Sequence, residues 1–592
     1  MVNTVEGTRV TQYRGRLYKL FKQLYGDQAR RCLNRLVMVL GRYGVDETQS
    51  VPTASWDETD AVLITYPDML RRQGRKPLAI LREFLHRYAA GAFSTVHILP
   101  FYPYSSDDGF SVIDYRTVNA EHGTWDDIQA IAQEFRLMAD LILNHTSRKS
   151  VWVRDYLNGV LPALRYFIEV DPDADLARVV RPRSSELLTP IETHAGVKHL
   201  WTTFSDDQID LNFANPDVFF EFLDILLFYV ANGARLIRLD AIAYLWKQIG
   251  TSCIHLPQTH SVVKLYRAIL ETVAPQVLII TETNVPHHEN LSYLGDGDEA
   301  HIVYQFALPP LLLHTLLTGK ACRLSEWAAA VSPMRSGCTF LNFTASHDGI
   351  GVRPLEGIVS NKQIARLADQ MQKRGGHISR KRNSDGSQSA YELNITYLDA
   401  LQNPEQQHAR QGVDRFLCSQ AIMLSLKGIP AVYFHSLVGT GNDHAGVQQL
   451  GYPRAINRKK WDYDELENRL RDSRSTQAVI YGRYRNLLSI RAQHPAFHPD
   501  GAQEVLDLGN RVFAVQRTAP DDTETVIAVS NVTGTPVDVQ IPEVAAASGA
   551  GIFSDLVTDT VLGQAGERLK LAAYQSCWLL VKPAAEPIAP DR

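Results

Sequence analysis

The sequence predicts an α/β protein: a (β/α)8 TIM-type barrel with inserted loop domains and a C-terminal antiparallel β domain. Three observations carry this. Eight short apolar runs alternate with longer helical patterns between residues 60 and 433, which suits a parallel sheet closed into a barrel. No Gly-rich phosphate loop follows the first run, which argues against a doubly wound sheet. After about residue 500 the runs shorten and alternate apolar with polar residues, as in "NRVFAVQR", "TVIAVSNVTG" and "QSCWLLVK".

The elements follow in chain order. Residues 1–55 place apolar side chains every three or four positions in "YRGRLYKLFKQLYGDQARRCLNRLVMVLGRYG" and read as a helical N-terminal extension. The barrel occupies 56–499, with strands expected at 61–66, 95–100, 136–143, 235–240, 277–281, 302–306, 339–343 and 429–433. Two gaps are too long for simple connections: 147–200 after the third strand and 350–415 after the seventh. Long loops at the C-terminal ends of barrel strands are where specificity resides. Residues 500–592 form the final β domain.

Composition bounds the partners. With 45% hydrophobic and 21% charged residues and a net charge of −5, the chain has no basic excess to attract nucleic acid. No apolar run reaches the roughly 18–20 residues of a membrane span, and the polar, basic N-terminus is not a secretory signal. The six cysteines lie far apart without metal-ligand spacing and read as reduced thiols of a cytoplasmic protein.

The strand ends are unusually polar. "DLILNHTS" ends the third strand with Asp140, Asn144 and His145; "RLIRLDAIAY" sets Arg238 and Asp240 on one face of the fourth. "IITETN" brings Glu282 and "FTASHD" brings His347 and Asp348. A single charged strand end is usually a solvated cap or a structural ion pair. Four converging on one barrel mouth point to chemistry. Two carboxylates in different protonation states suit glycoside cleavage, one ionised to attack and one protonated to assist the leaving oxygen, with Arg238 keeping Asp240 ionised.

In this order, "DLILNHTS", "ARLIRLDAIAY", "ITETN" and "FTASHD" resemble the four signatures of the retaining α-amylase superfamily, and "QIDLN" (208–212) resembles a fifth. The likeness runs over most of 60–500. Longer stretches, among them "HILPFYPYSSDDGFSVIDY", "RVVRPRSSELLTP", "GTSCIHLP", "HDGIGV" and "YELNITYLDAL", are similar to the sucrose phosphorylase-like subgroup. The resemblance implies Asp240 as nucleophile, Glu282 as general acid/base and Asp348 as the stabiliser gripping the glucose 2- and 3-hydroxyls. It implies His145, Arg238, Tyr244 and His347 around the same glucosyl subsite, Asp107 and Arg458 on its far hydroxyls, and Phe110 as a wall or simply core.

The same resemblance puts phosphate, a co-substrate, against Arg183 of "RPR", with Tyr391 and Glu392 of "YELN" on the acceptor side. Arg380, Lys381 and Arg382 lie on that loop, although a basic triplet is usually a solvated face. Glu392 stands where sucrose enzymes carry Gln, and the extension and "DGSQS" loop look more like the phosphorylases of glucosylglycerol and glucosylglycerate. A negative charge at 392 favours a polyol over a carboxylate, so glucosylglycerol is the expected donor, with glucosylglycerate, sucrose or sucrose 6-phosphate as alternatives. No cofactor or metal is implied. Hydrolase or transglucosidase activity uses the same residues with another acceptor, and a non-catalytic barrel is disfavoured by the intact carboxylates.

Overall fold

A computed structural model describes residues 3–43, 56–183, 185–331, 334–382, 387–402, 409–540, 552–564 and 566–582. Eight parallel strands, β1 (Val62–Thr65), β2 (Thr95–Ile98), β3 (Arg136–Ile142), β4 (Ala234–Asp240), β5 (Leu278–Thr281), β6 (Ile302–Tyr304), β7 (Thr339–Phe343) and β8 (Ile429–Tyr433), close into a barrel. They follow chain order, and β8 pairs back onto β1. Each falls within the run expected for it, except that β4 begins one residue earlier, at Ala234. Helices cover the outside and side chains fill the inside, so strands such as β1 and β7 are buried at every position. Pairing of β3 with β4 sets Asp140 opposite Arg238 and Ile142 opposite Asp240.

Local signals start the outer helices where the chain needs them. Helix α3 (Pro216–Ala231) begins with Pro216 at its first position, and the Asn215 side chain accepts the Asp217 N–H at 2.9 Å. Helix α4 (Pro257–Val273) also starts on proline. The extension forms α1 (Asn3–Tyr25) and α2 (Ala29–Arg42), which lie on the flank of the barrel against α4 and α3. Fully buried Phe21 meets Phe219 edge-on at 5.8 Å and stacks on Phe220 at 5.9 Å. The Tyr25 hydroxyl donates to the Phe213 carbonyl, and Arg16 pairs with Glu271 at 2.8 Å.

Both long gaps carry structure of their own. After β3, His145–Ser147 pairs antiparallel with Gln208–Asp210, and a hairpin joins Leu188–Thr193 to Gly196–Trp201. That hairpin closes a small core of Val170, Leu187, Trp201 and Cys253. After β7, Ile350–Gly351, Gln388–Asn394 and His377–Arg382 form a three-stranded sheet beside the barrel mouth. Residues 383–386, which include the first two of "DGSQS", lie outside the described residues. The C-terminal region holds a six-stranded antiparallel sheet. Arg517 ties it to the barrel: fully buried, it donates to the carbonyls of Ser425, His498 and Ala502. Among the described residues no helix is long and apolar enough to cross a membrane.

Candidate active site

A cleft of about 1080 Å3, counting its open mouth, sits at the C-terminal ends of the barrel strands. Asp107, Phe110, His145, Arg183, Arg238, Asp240, Tyr244, Glu282, His347, Asp348, Tyr391 and Glu392 all line it. Arg458 stands behind the wall. Asp140 is also out of reach of the cleft, fully buried beneath Arg238.

The centre is built on the β3–β4 register. Arg238 Nη1 lies 2.5 Å from Asp140 Oδ1 and 2.7 Å from Asp240 Oδ1, while its Nη2 is 3.9 Å from Glu282 Oε2. Asp140 is itself held by His97 at 2.8 Å; its burial is outweighed by His97 and Arg238, which bring it down to about 2. It therefore stays ionised and anchors the guanidinium from below. Ala241, directly after Asp240, takes a left-handed φ of 48°, a strained backbone for a residue with a Cβ. That turn points its N–H at Glu282 Oε2, 3.0 Å away.

Burial raises both carboxyls. Glu282 is pushed up to about 7 by burial, with Asp240 and Asp348 adding to the rise and Arg238 opposing it. Asp240 is raised by burial too, and there the closer contact with Arg238 opposes the rise most strongly. The guanidinium lies 2.7 Å from Asp240 and 3.9 Å from Glu282, so it favours negative charge on Asp240 over Glu282. This is the arrangement that retaining glycoside cleavage needs.

Asp348 is held low: Arg454, His347 and Arg458 together outweigh its burial. Arg454 Nη1 is 2.7 Å from Asp348 Oδ1. His347 stacks on Phe110 at 4.7 Å, and burial drives it down to about 3, so the ring is neutral. Phe110 thereby forms a wall as well as core, with the Arg238 guanidinium 5.7 Å from its ring centre. His145 Nε2 meets the Phe110 carbonyl at 2.9 Å and Gln208 at 3.1 Å. Arg458 donates from Nε to the His347 carbonyl at 2.9 Å and sits 2.7 Å from Asp108 but 3.7 Å from Asp107. Its Nη2 is buried without a hydrogen-bond partner.

Several site residues escape sequence reasoning. Asp108, not Asp107, makes the tighter pair with Arg458, and adjacent carboxylates could not be told apart from the sequence. Lys247 is buried 2.6 Å from both Asp210 and Asn144, locking "QIDLN" to the end of β3; nothing marked it within an apolar stretch. Arg454 stands four residues before Arg458 in "YPRAINRKK", a spacing that offered the signal.

Arg454 also overturns the reading of Glu392. That carboxylate is 2% exposed, accepts Arg454 Nη2 at 2.8 Å and Nε at 3.2 Å, and takes the Gly349 N–H at 3.1 Å. Its charge is paired inside the wall with an arginine that it shares with Asp348, so it does not stand as a bare anion against a carboxylate aglycone. Arg380 and Lys381 do not line the cleft: Lys381 pairs with Glu356 at 3.2 Å and Arg380 is exposed, while the Arg382 side chain lies outside the described residues. Among the described residues no group of three or more His, Cys, Asp or Glu side chains is arranged to hold a metal.

Comparison with known proteins places this geometry. Residues 91–338 match the α-amylase catalytic-domain family. The chain is 46% identical to a glucosylglycerate phosphorylase of Spirochaeta thermophila over 95% of this chain and 98% of the relative. The chain belongs to the glycoside phosphorylases of the α-amylase family. A glucosylglycerol phosphorylase of Marinobacter adhaerens is 30% identical, over 74% of this chain and 87% of the relative. The chain is thus more similar to that glucosylglycerate phosphorylase than to this glucosylglycerol phosphorylase. The crystal structure of sucrose 6F-phosphate phosphorylase from Thermoanaerobacter thermosaccharolyticum superposes with a TM-score of 0.72. At 24% identity it covers 89% of this chain and all of that one, which establishes the shared fold.

Proposed function

We propose that this phosphorylase cleaves 2-O-α-glucosylglycerate with phosphate, reversibly, giving α-glucose 1-phosphate and glycerate. The observation that carries the mechanism is the Arg238 guanidinium 2.7 Å from Asp240 and 3.9 Å from Glu282. It biases two buried carboxyls toward opposite protonation states. In the first half-reaction an Asp240 oxygen attacks the anomeric carbon, the glycosidic C–O bond breaks, and Glu282 gives its proton to the departing glycerate hydroxyl. In the second, a phosphate oxygen attacks the same carbon from the face the aglycone left. The bond to Asp240 breaks and Glu282 takes up the acceptor's proton, so the α configuration is retained.

In this reading Asp348, held ionised by Arg454, grips the glucose 2- and 3-hydroxyls. Asp107 serves its far side with Arg458 behind it, while His145, His347 and Tyr244 shape the ring pocket. Arg183, Tyr391 and Glu392 make up the acceptor wall. Supporting glycerate as aglycone are the 46% identity to a glucosylglycerate phosphorylase and the pairing of Glu392 with Arg454 inside the wall. We take the chain as three units, 1–55, 56–499 and 500–592, working in the cytoplasm, where six unpaired cysteines are at home.

Supplying glucose 1-phosphate with glycerate, glycerol, fructose or fructose 6-phosphate and measuring phosphate release tests the reading. Glycerate should release phosphate fastest. Equal or faster release with glycerol overturns the substrate assignment.

A further inference from the structure

In a double displacement with retention, the aglycone leaves and the acceptor arrives on the same face of the anomeric carbon, beside the same acid/base carboxyl. If the donor is glucosylglycerate, as proposed above, both are anions: a carboxylate goes out and a phosphate comes in. Each must be held in a low-dielectric cleft, where an unpaired charge is costly.

The cleft offers few cations. Among the described residues three arginines line it, Arg183, Arg238 and Arg454, and no lysine does. Arg238 is committed to Asp140 and Asp240, and Arg454 to Asp348 and Glu392. Arg458, behind the wall, is committed to Asp108. His347 is neutral. Arg183 has no hydrogen bond or carboxylate partner among the described residues, so its fork is free to make bidentate contacts with an oxyanion. Its charge acts on the phenols of Tyr244 and Tyr391, which share the cleft wall. Burial raises both phenols, so each stays protonated and offers a donor to the same anion.

We infer that Arg183 is a shared anion seat, holding the glycerate carboxylate in one half-reaction and phosphate in the other. One residue then sets both the preference for an acidic aglycone and the preference for phosphate over water.

The test separates the acceptors from the donor. α-Glucosyl fluoride forms the Asp240 ester by losing fluoride, so neither anion is needed to load the enzyme. Transfer to glycerate, glycerol, phosphate and water is then followed in wild type, Arg183→Ala and Arg183→Lys. Loss of a charge-assisted contact should lower kcat/KM for glycerate and for phosphate, each relative to glycerol, by roughly 10–150-fold in Arg183→Ala. Arg183→Lys should recover part of both. Transfer to glycerol reports that the variant is folded and still forms the ester. A variant that loses phosphate but keeps its preference for glycerate over glycerol overturns the shared seat while leaving the substrate reading intact. A wild-type enzyme without that preference overturns both.

Discussion

The position of Glu282 sets the alkaline limit of the donor reaction. Its carboxyl must be protonated to assist a poor leaving group, and burial lifts it to about 7. A raised acid is protonated below that value and loses its proton above it, so kcat/KM for the glucoside should be flat to about pH 6. It should then fall roughly tenfold per unit above pH 7, to about a tenth at pH 8. The parameter kcat/KM reports the free enzyme, the state described here. On the acid side the limb belongs to Asp240, and because the two carboxyls interact the observed values belong to the pair.

Initial rates of phosphorolysis between pH 5 and 9 measure the limb. α-Glucosyl fluoride, whose leaving group needs no proton, isolates its cause: that substrate should lack the alkaline fall. Glu282→Gln should cost about 10^2–10^4-fold with the natural glucoside and far less with the fluoride. An alkaline limb of the same position and depth for both donors, or equal damage to both in Glu282→Gln, refutes the assignment of the acid.

Three further outcomes follow from the same geometry. Asp240→Asn cannot form the glucosyl ester and should lose about 10^4-fold or more of turnover, with no adduct at this position by mass spectrometry; activity within tenfold of wild type removes it from the nucleophile role. Glu392→Gln strips a charge from the Arg454 clamp. A buried charge-assisted bond is worth about 1.5–3 kcal/mol, so the variant should unfold at lower temperature and bind donor less well, and an unchanged melting curve contradicts the clamp. In Gly351→Ala the new Cβ meets Asn284 Nδ2 at 2.5 Å, so the Asn284 side chain must move; activity should fall while circular dichroism stays native, and full activity means the wall yields freely.

The barrel was legible because burial on both faces turns each strand into an apolar run, and the catalytic centre was legible because charges at the ends of such runs are rare. Arg238 and Asp240 declared themselves by a two-residue spacing that any strand converts into a shared face. What stayed hidden depends on partners far apart in sequence. Nothing local tells that Glu392 is paired with Arg454, 62 positions away, and a sign argument drawn from its bare charge loses its footing on that one contact. Asp140 stands at a strand end like the others, yet register buries it beneath Arg238 instead of opening it to the cleft. Segment 350–415 read as a loop because its two longer strands, "HISRKR" and "QSAYELN", are polar, the latter buried only over its last three residues beside the mouth.

The two helices at the N-terminus touch no part of the cleft, yet they govern whether the protein can be handled. On α3, Phe219 is covered by Phe21 and Tyr25, and Phe220 by Phe21 and the Arg35 guanidinium, all from the extension. Cutting the chain after Arg42 leaves every catalytic group in place and bares an aromatic strip on α3. Such a strip adheres to others of its kind. A trimmed enzyme should therefore be lost to precipitation during purification, and polar replacements at 219 and 220 should bring it back into solution with its specificity intact.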